Sequence, residues 1–255
     1  MEYGRSNWRY KSVFTALARN AVQFTVMKPA IDTAIKVHKH GLEHLDGIDS
    51  PVIVNANHSG HFDAPLVMLT MPRRITNKLA TGAAADYFFD KWYKAAFTEL
   101  IVNAFPVDRT GTRNHRGLSG DLLDAGVSLL IFPEGTRSRT GGMGRFKPGS
   151  AALAISHNVP VVPVAMVGAW AAWPPKQARW TPGRPDVHVV YGAPMRAEPG
   201  EIAHEFSERV RRRIIDLHDA TARAYHMPTQ AQMLHLAAIE GIRTGELPKG
   251  KHRRI

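Results

Sequence analysis

From residue 51 onward, short apolar runs alternate with longer stretches in which apolar residues recur at helical spacing. The runs Val52–Ala56, Lys78–Ala83, Ile101–Val107, Val127–Phe132, Val159–Val167 and Asp186–Tyr191 have the length and β-branched content of buried strands. Between and after them, Ala64–Leu69, Asp86–Leu100, Asn114–Leu123, Gly149–His157 and Glu201–Tyr225 read as helices, with one last helix at Thr229–Ile242. Strand and helix in alternation predict an α/β fold, a mostly parallel (mixed) sheet flanked by helices. Pro160 and Pro163 are expected to make the fifth of these strands irregular or to place it at an edge.

The first 40 residues follow a different pattern. Val13, Leu17, Ala21 and Phe24 recur at helical spacing, and Ile31, Ala34, Ile35 and His38 make a second stripe beyond Pro29. Arg5, Arg9, Lys11, Arg19, Lys28, Lys36 and Lys39 are interleaved, with Trp8 and Tyr10 near the start. So much charge forbids a bilayer span, but it suits either an amphipathic helical arm in the headgroup plane or a helix packed on the domain. Residues 148–175 hold no Asp, Glu, Lys or Arg, yet Ser156-His157-Asn158 and two prolines break that stretch into a buried helix and a buried strand. The organisation expected is an N-terminal amphipathic arm (1–45), an α/β domain (46–200) and a C-terminal helical extension with a basic tail (201–255), which includes Lys249, Lys251, Arg253 and Arg254.

Composition narrows the chemistry. With 44% hydrophobic residues in 255 the chain has ample material for a core, and with no cysteine it has neither disulfides nor thiolate chemistry. A net charge of +11 points to anionic partners, among them nucleic acid, phosphorylated small molecules and anionic lipid surfaces. The basic residues are scattered and carry no nucleic-acid reading motif, so no nucleic-acid partner is expected. No signal peptide is visible, and the expected location is cytoplasmic, peripheral on the inner face of a membrane.

Candidate chemistry gathers where strands end. Asn57-His58-Ser59-Gly60-His61-Phe62-Asp63 follows the apolar run Val52-Ile53-Val54, and Asp63-Ala64-Pro65 reads as a helix N-cap with an early proline. A carboxylate five residues after His58 can hold the imidazole in one tautomer and leave the other nitrogen free to take a proton. Asp63 acting only as a cap is the plainer reading. Phe105-Pro106-Val107-Asp108-Arg109 ends a second strand on an arginine. Phe132-Pro133-Glu134-Gly135-Thr136-Arg137-Ser138-Arg139 places a carboxylate, a glycine, a hydroxyl and two guanidinium groups after a third.

These stretches, with Val159–Pro163, resemble in order the four blocks of the glycerophospholipid acyltransferase family, which contains the 1-acylglycerol-3-phosphate acyltransferases. Phe132–Arg137 matches its F-P-E-G-T-R block without a mismatch, and His58 to Asp63 matches N-H-X4-D. The resemblance covers roughly residues 50–195 and implies transfer of a fatty acyl group from a coenzyme A or acyl-carrier-protein thioester to a lysophospholipid hydroxyl. His58 would be the general base and Asp63 its orienting carboxylate, with no cofactor beyond the acyl donor. Arg109 and Arg137 would hold the acceptor phosphate, with Glu134, Gly135 and Thr136 lining the same site. Glu134 rivals Asp63 as the partner of the imidazole.

The acceptor implied is 1-acylglycerol-3-phosphate. Other lysophospholipids, glycerol-3-phosphate or a glycolipid are alternatives, as is a non-catalytic anionic-lipid-binding protein. The loop of Trp170, Trp173 and Trp180 reads as core filler, an acyl-groove wall or a membrane contact. Ser59 as a nucleophile is disfavoured because neighbours on an extended chain point to opposite faces. A metal held by His58, His61 and Asp63 lacks the usual ligand spacing, and none is expected.

Overall fold

The computed structural model describes Tyr10 and residues 12–48, 51–84, 101–107, 117–175 and 177–244. The elements are α1 (Val13–Val22), a π-helical turn (Gln23–Met27), α2 (Lys28–Ala34), β1 (Lys36–His40), β2 (Ile53–Ala56), α3 (Asp63–Thr70), α4 (Arg73–Thr76) and β3 (Leu79–Ala84). They continue with β4 (Ala104–Val107), α5 (Leu118–Asp124), β5 (Ser128–Ile131), α6 (Gly149–Ser156), β6 (Val161–Val167) and α7 (Ala169–Ala172). The last three are β7 (Asp186–Tyr191), α8 (Ala203–Ala224) and α9 (Gln230–Thr244).

The strands form one sheet in the order β1-β7-β6-β2-β5-β3-β4. All neighbours are parallel except β6 and β7, so β1 and β7 run opposite to the other five. Residues alternate between two cores, as a sheet covered on both faces requires. Val54, Leu130, Val162, Val164 and Val189 pack under α2 and α3, against Ile31, Leu66 and Val67. Ile53, Leu129, Val161, Ala165 and Val190 pack under α5, α6 and α8, against Leu122, Ala151, Phe206 and Ile214.

Two expectations need correction. The strand carrying Pro163 is central and wholly buried, not an edge. Its pairing with β7 starts at Val164↔Tyr191, so Pro163 sits just past that ladder, where a missing N–H is tolerated, while its carbonyl accepts from Gly192 N at 2.9 Å. The stripe Ile31–His38 is not one helix. The chain becomes extended at Ile35 and residues 36–40 pair with 186–190. Tertiary pairing with β7 overrides the helical spacing there, and the turn after β1 uses Gly41 at φ +73°, where a Cβ would lie 2.0 Å from the Tyr191 carbonyl oxygen.

The N-terminal arm is helical as expected, but its apolar stripe faces away from the domain. Val13, Phe14, Leu17 and Val26 are exposed, Phe14 to 84%. The docked side is largely polar: Arg19 donates to the Asn77 carbonyl at 3.1 Å, Gln23 to the Ile101 carbonyl at 2.7 Å, and Arg73 to Asn20 and Gln23. Burial and the neighbouring Arg73 lower the Arg19 guanidinium to about 10. Among the described residues, no helix is long and apolar enough to cross a membrane. The helix predicted at 86–100 and Arg109 lie outside the described residues.

Candidate active site

β2 ends in the middle of the sheet, between β6 and β5, so the loop after it emerges at the carboxyl edge of the parallel strands. Such edges are where α/β sheets collect ligands. Asn57 extends the β2–β6 pairing after the backbone has left it: its amide donates to the Met166 carbonyl at 3.1 Å and accepts from Met166 N at 2.7 Å. This anchor was not singled out from sequence, although a buried asparagine at a strand end was a usable signal.

Asp63 is not the N-cap of α3. Phe62 holds that place, and Asp63 opens the first turn with no exposed surface. Its carboxylate turns back on the preceding loop, where Oδ2 accepts from Ser59 N at 2.7 Å, Gly60 N at 2.9 Å and His58 Nδ1 at 2.8 Å. The loop can close this tightly because residue 60 is glycine. A Cβ there would lie 2.6 Å from the Ala169 carbonyl oxygen at the start of α7. The half-buried His58 ring stacks on Phe132, with centroids 4.1 Å apart. With Nδ1 engaged, Nε2 is the ring nitrogen left for a substrate proton.

Glu134 serves a different part of the same residue. Its Oε1 accepts from the backbone N–H of His58 and its Oε2 from Gly144 N, both at 2.8 Å. Asp63 therefore meets the ring and Glu134 the backbone. Burial pushes the Glu134 carboxyl up, against the two N–H donors that favour its charge. Ser138 N donates to the His58 carbonyl at 2.7 Å, so the loop after β5 grips His58 on both sides of its backbone.

Gly135 turns at φ +72°, with Lys147 close to where a Cβ would be. Thr136 is exposed. Arg137 Nη1 lies 2.6 Å from His61 Nδ1, and the His61 ring packs on Trp173 at 4.6 Å. Burial first, then Arg137, lowers the His61 pKa. His61 thus faces Arg137 and the tryptophan loop, and no group of three or more potential ligands converges on a metal position among the described residues. Trp173 also meets Phe62 and Trp180 edge-on, at 5.1 and 5.8 Å, making an aromatic wall beside Arg137.

An α/β sheet that presents a histidine–aspartate pair beside a Phe-Pro-Glu-Gly-Thr-Arg loop defines the class, and comparison with known proteins agrees. Residues 36–167, just over half of the chain, match the family model described as Acyltransferase. The chain belongs to the acyltransferase family. The 1-acyl-sn-glycerol-3-phosphate acyltransferase of Pseudomonas aeruginosa is 42% identical over 193 residues, which cover 74% of this chain and 70% of that protein. The alpha enzyme of that name from Bos taurus is 27% identical over 184 residues, 69% of this chain and 61% of the bovine protein's length. The crystal structure of the 1-acyl-sn-glycerophosphate (LPA) acyltransferase, PlsC, from Thermotoga maritima superposes with a TM-score of 0.59 at 23% identity, covering 79% of this chain and 84% of that one. That likeness establishes the fold.

Proposed function

We propose that this chain transfers a fatty acyl group from a coenzyme A or acyl-carrier-protein thioester to the free hydroxyl of 1-acylglycerol-3-phosphate. The observation that carries the proposal is the 2.8 Å bond between His58 Nδ1 and the fully buried Asp63. The names of the relatives supply the acceptor. His58 Nε2 takes the hydroxyl proton as the oxygen attacks the thioester carbonyl, and Asp63 stabilises the imidazolium that forms. The carbon–sulfur bond then breaks and the thiolate recovers the proton from His58. A thiol of pKa about 8.5 is a good leaving group, so the step needs no covalent enzyme intermediate. Arg137, with Arg109 two positions after β4 in the sequence, holds the acceptor phosphate, which arginine's forked donors suit. Glu134 keeps the His58 backbone in place, and Gly135 and Thr136 of the same loop are assigned to the substrate beside it.

The test is release of free thiol from palmitoyl-coenzyme A with lysophosphatidate as acceptor. Wild type should be active and His58→Ala about 10²–10⁴-fold slower, the range supplied by a general base. A His58→Ala variant as fast as wild type would sink the mechanism, and release with a different lysophospholipid alone would move the acceptor.

We also propose peripheral attachment to the inner face of an anionic membrane, and the arm supports attachment to a lipid surface. An exposed apolar stripe with a polar docked face is the reverse of an ordinary surface helix and suits insertion among lipid headgroups. Burying Phe14 and Leu17 in lipid contributes roughly 1.5–3 kcal/mol each. Phe14→Asp/Leu17→Asp should lower sedimentation with anionic vesicles by about 10²-fold or more, taking 1.4 kcal/mol per factor of ten. Unchanged partitioning would leave the arm as packing only. Point changes are the right tool, because removing residues 1–40 would also remove β1.

A further inference from the structure

The glycine-rich loop 141–144 has no catalytic group of its own, yet it holds Glu134, and Glu134 holds His58. Three glycines in four residues give this segment unusual freedom unless something fixes it. Ser138 Oγ holds it from one side by donating to the Gly142 carbonyl at 2.7 Å, and the C-terminal helix pair holds it from the other. Met143 N donates to Gln230 Oε1 on α9 at 2.6 Å, and the Gly144 carbonyl accepts from Arg211 Nε on α8 at 2.7 Å. Gly144 N, the next donor along, is the one that bonds Glu134. Side-chain packing reinforces the pattern: a Cβ on Gly141 would lie 3.2 Å from Met233 Sδ, and one on Gly142 would lie 2.6 Å from Leu234 Cδ2.

Gln230 is buried to 4% exposure, its own backbone N–H is held by Asp219 at 2.8 Å, and its Nε2 has no partner. A buried amide with two unpaired donors carries a cost, and the bond that its oxygen accepts from Met143 N is what it provides in this fold. Both anchors lie beyond residue 167, where the match to the family ends.

We infer that Gln230 and Arg211 are positioning residues for the acyltransferase reaction: through loop 141–144 and Glu134 they set the backbone of His58, so the site is completed by helices outside the family's shared segment. The inference rests on the reading of His58 as base.

The experiment is a double-mutant cycle on the 255-residue chain, with palmitoyl-coenzyme A and lysophosphatidate in detergent micelles. Gln230→Leu should lower kcat about tenfold with KM for the thioester changed less than twofold. Glu134→Gln should lower kcat at least as much, and the double variant should be no slower than Glu134→Gln alone. Gln230→Glu keeps an acceptor for Met143 N and should restore most of the rate. Losses that multiply in the double variant, or a Gln230→Leu enzyme with wild-type kcat, would overturn the inference. If Gln230→Leu does not fold, Arg211→Met takes its place in the same cycle with the same two outcomes. His58→Ala runs alongside. Full turnover in that variant overturns the reading of His58 itself and the inference with it, whereas an inactive His58→Ala with multiplying losses overturns the inference alone.

Discussion

Asp63→Asn should fold, bind lysophosphatidate and turn over about 10³-fold more slowly than wild type. The expectation comes from counting donors. Oδ2 of Asp63 accepts from two backbone N–H groups and the His58 ring, and Oδ1 is buried without a partner. An asparagine can keep its oxygen on the three donors, but its amide nitrogen then replaces Oδ1 in a buried spot with no acceptor. If it flips, it points two donors at two backbone donors and favours the imidazole tautomer whose Nε2 already carries a proton. In either arrangement the charge that stabilises the imidazolium is lost. In serine proteases the equivalent change is worth about 10⁴ in rate with geometry intact. In the proposed mechanism the nucleophile belongs to the substrate, and about 10³ is the more conservative figure. Asp63→Ala should be worse for folding, since it strands buried N–H groups that typically cost 1–3 kcal/mol each. Thiol release by Asp63→Asn within threefold of wild type would show that the carboxylate is only architectural.

The second large effect is on stability. At the edge of the sheet, His188 on β7 has 1% exposure and lies between two histidines of β1, with ring centroids 4.6 Å from His38 and 5.2 Å from His40. Tyr225, just beyond α8, covers it at 4.1 Å. Its Nδ1 is hydrogen-bonded to His40 Nε2 at 2.9 Å, and His38 is engaged by Asp186 at 2.7 Å. Burial, then repulsion from His38 and His40, lowers His188 to about 4, with Asp186 opposing weakly. His40 is lowered for the same reasons.

An unfolded histidine titrates near 6.5, so below that pH the unfolded chain takes a proton that the folded chain refuses. Stability is therefore full above pH 6.5 and lost progressively down to about 4, by something on the order of 2 kcal/mol for His188. For a chain of this size that is a fall in Tm of about 5 °C. His188→Phe keeps the stacking without the titration and should flatten the dependence. Parallel Tm curves for wild type and variant between pH 7 and 4.5 would remove His188 as the cause.

The readable elements share one physical property. β2, β5 and β6 are buried on both faces, so their sequences are continuous apolar runs that no surface helix would carry. β1 reads Lys-Val-His-Lys-His, sits at an edge and pairs with residues 186–190, far along the chain, so nothing local announces it. The stripe Val13-Leu17-Ala21-Phe24 identified a helix face correctly but not what the face meets, because periodicity records an angle and not a direction. At the site, spacing placed His58 and Asp63 together. It left Asp63 and Glu134 as rivals, since a choice between ring and backbone is made by how the loop after β5 folds over the loop after β2. The contribution of Gln230 was invisible for a related reason: its partner is a backbone N–H, which carries no residue identity.

The reversed pair of strands at the sheet's edge also dictates an order of assembly. A ribosome delivers the chain from its N-terminus, so Lys36–His40 leaves the exit tunnel well before Asp186–Tyr191 exists to receive it. Throughout that interval β1 has no strand partner, and the arm ahead of it is held only by its contacts with Arg73, Asn77 and Ile101, with its apolar side chains already outside. Closing so long a loop is also slow, because its entropy must be surrendered before the strand pairing compensates. On the proposed reading of the arm, it has time to meet a lipid surface before its own edge of the sheet has formed.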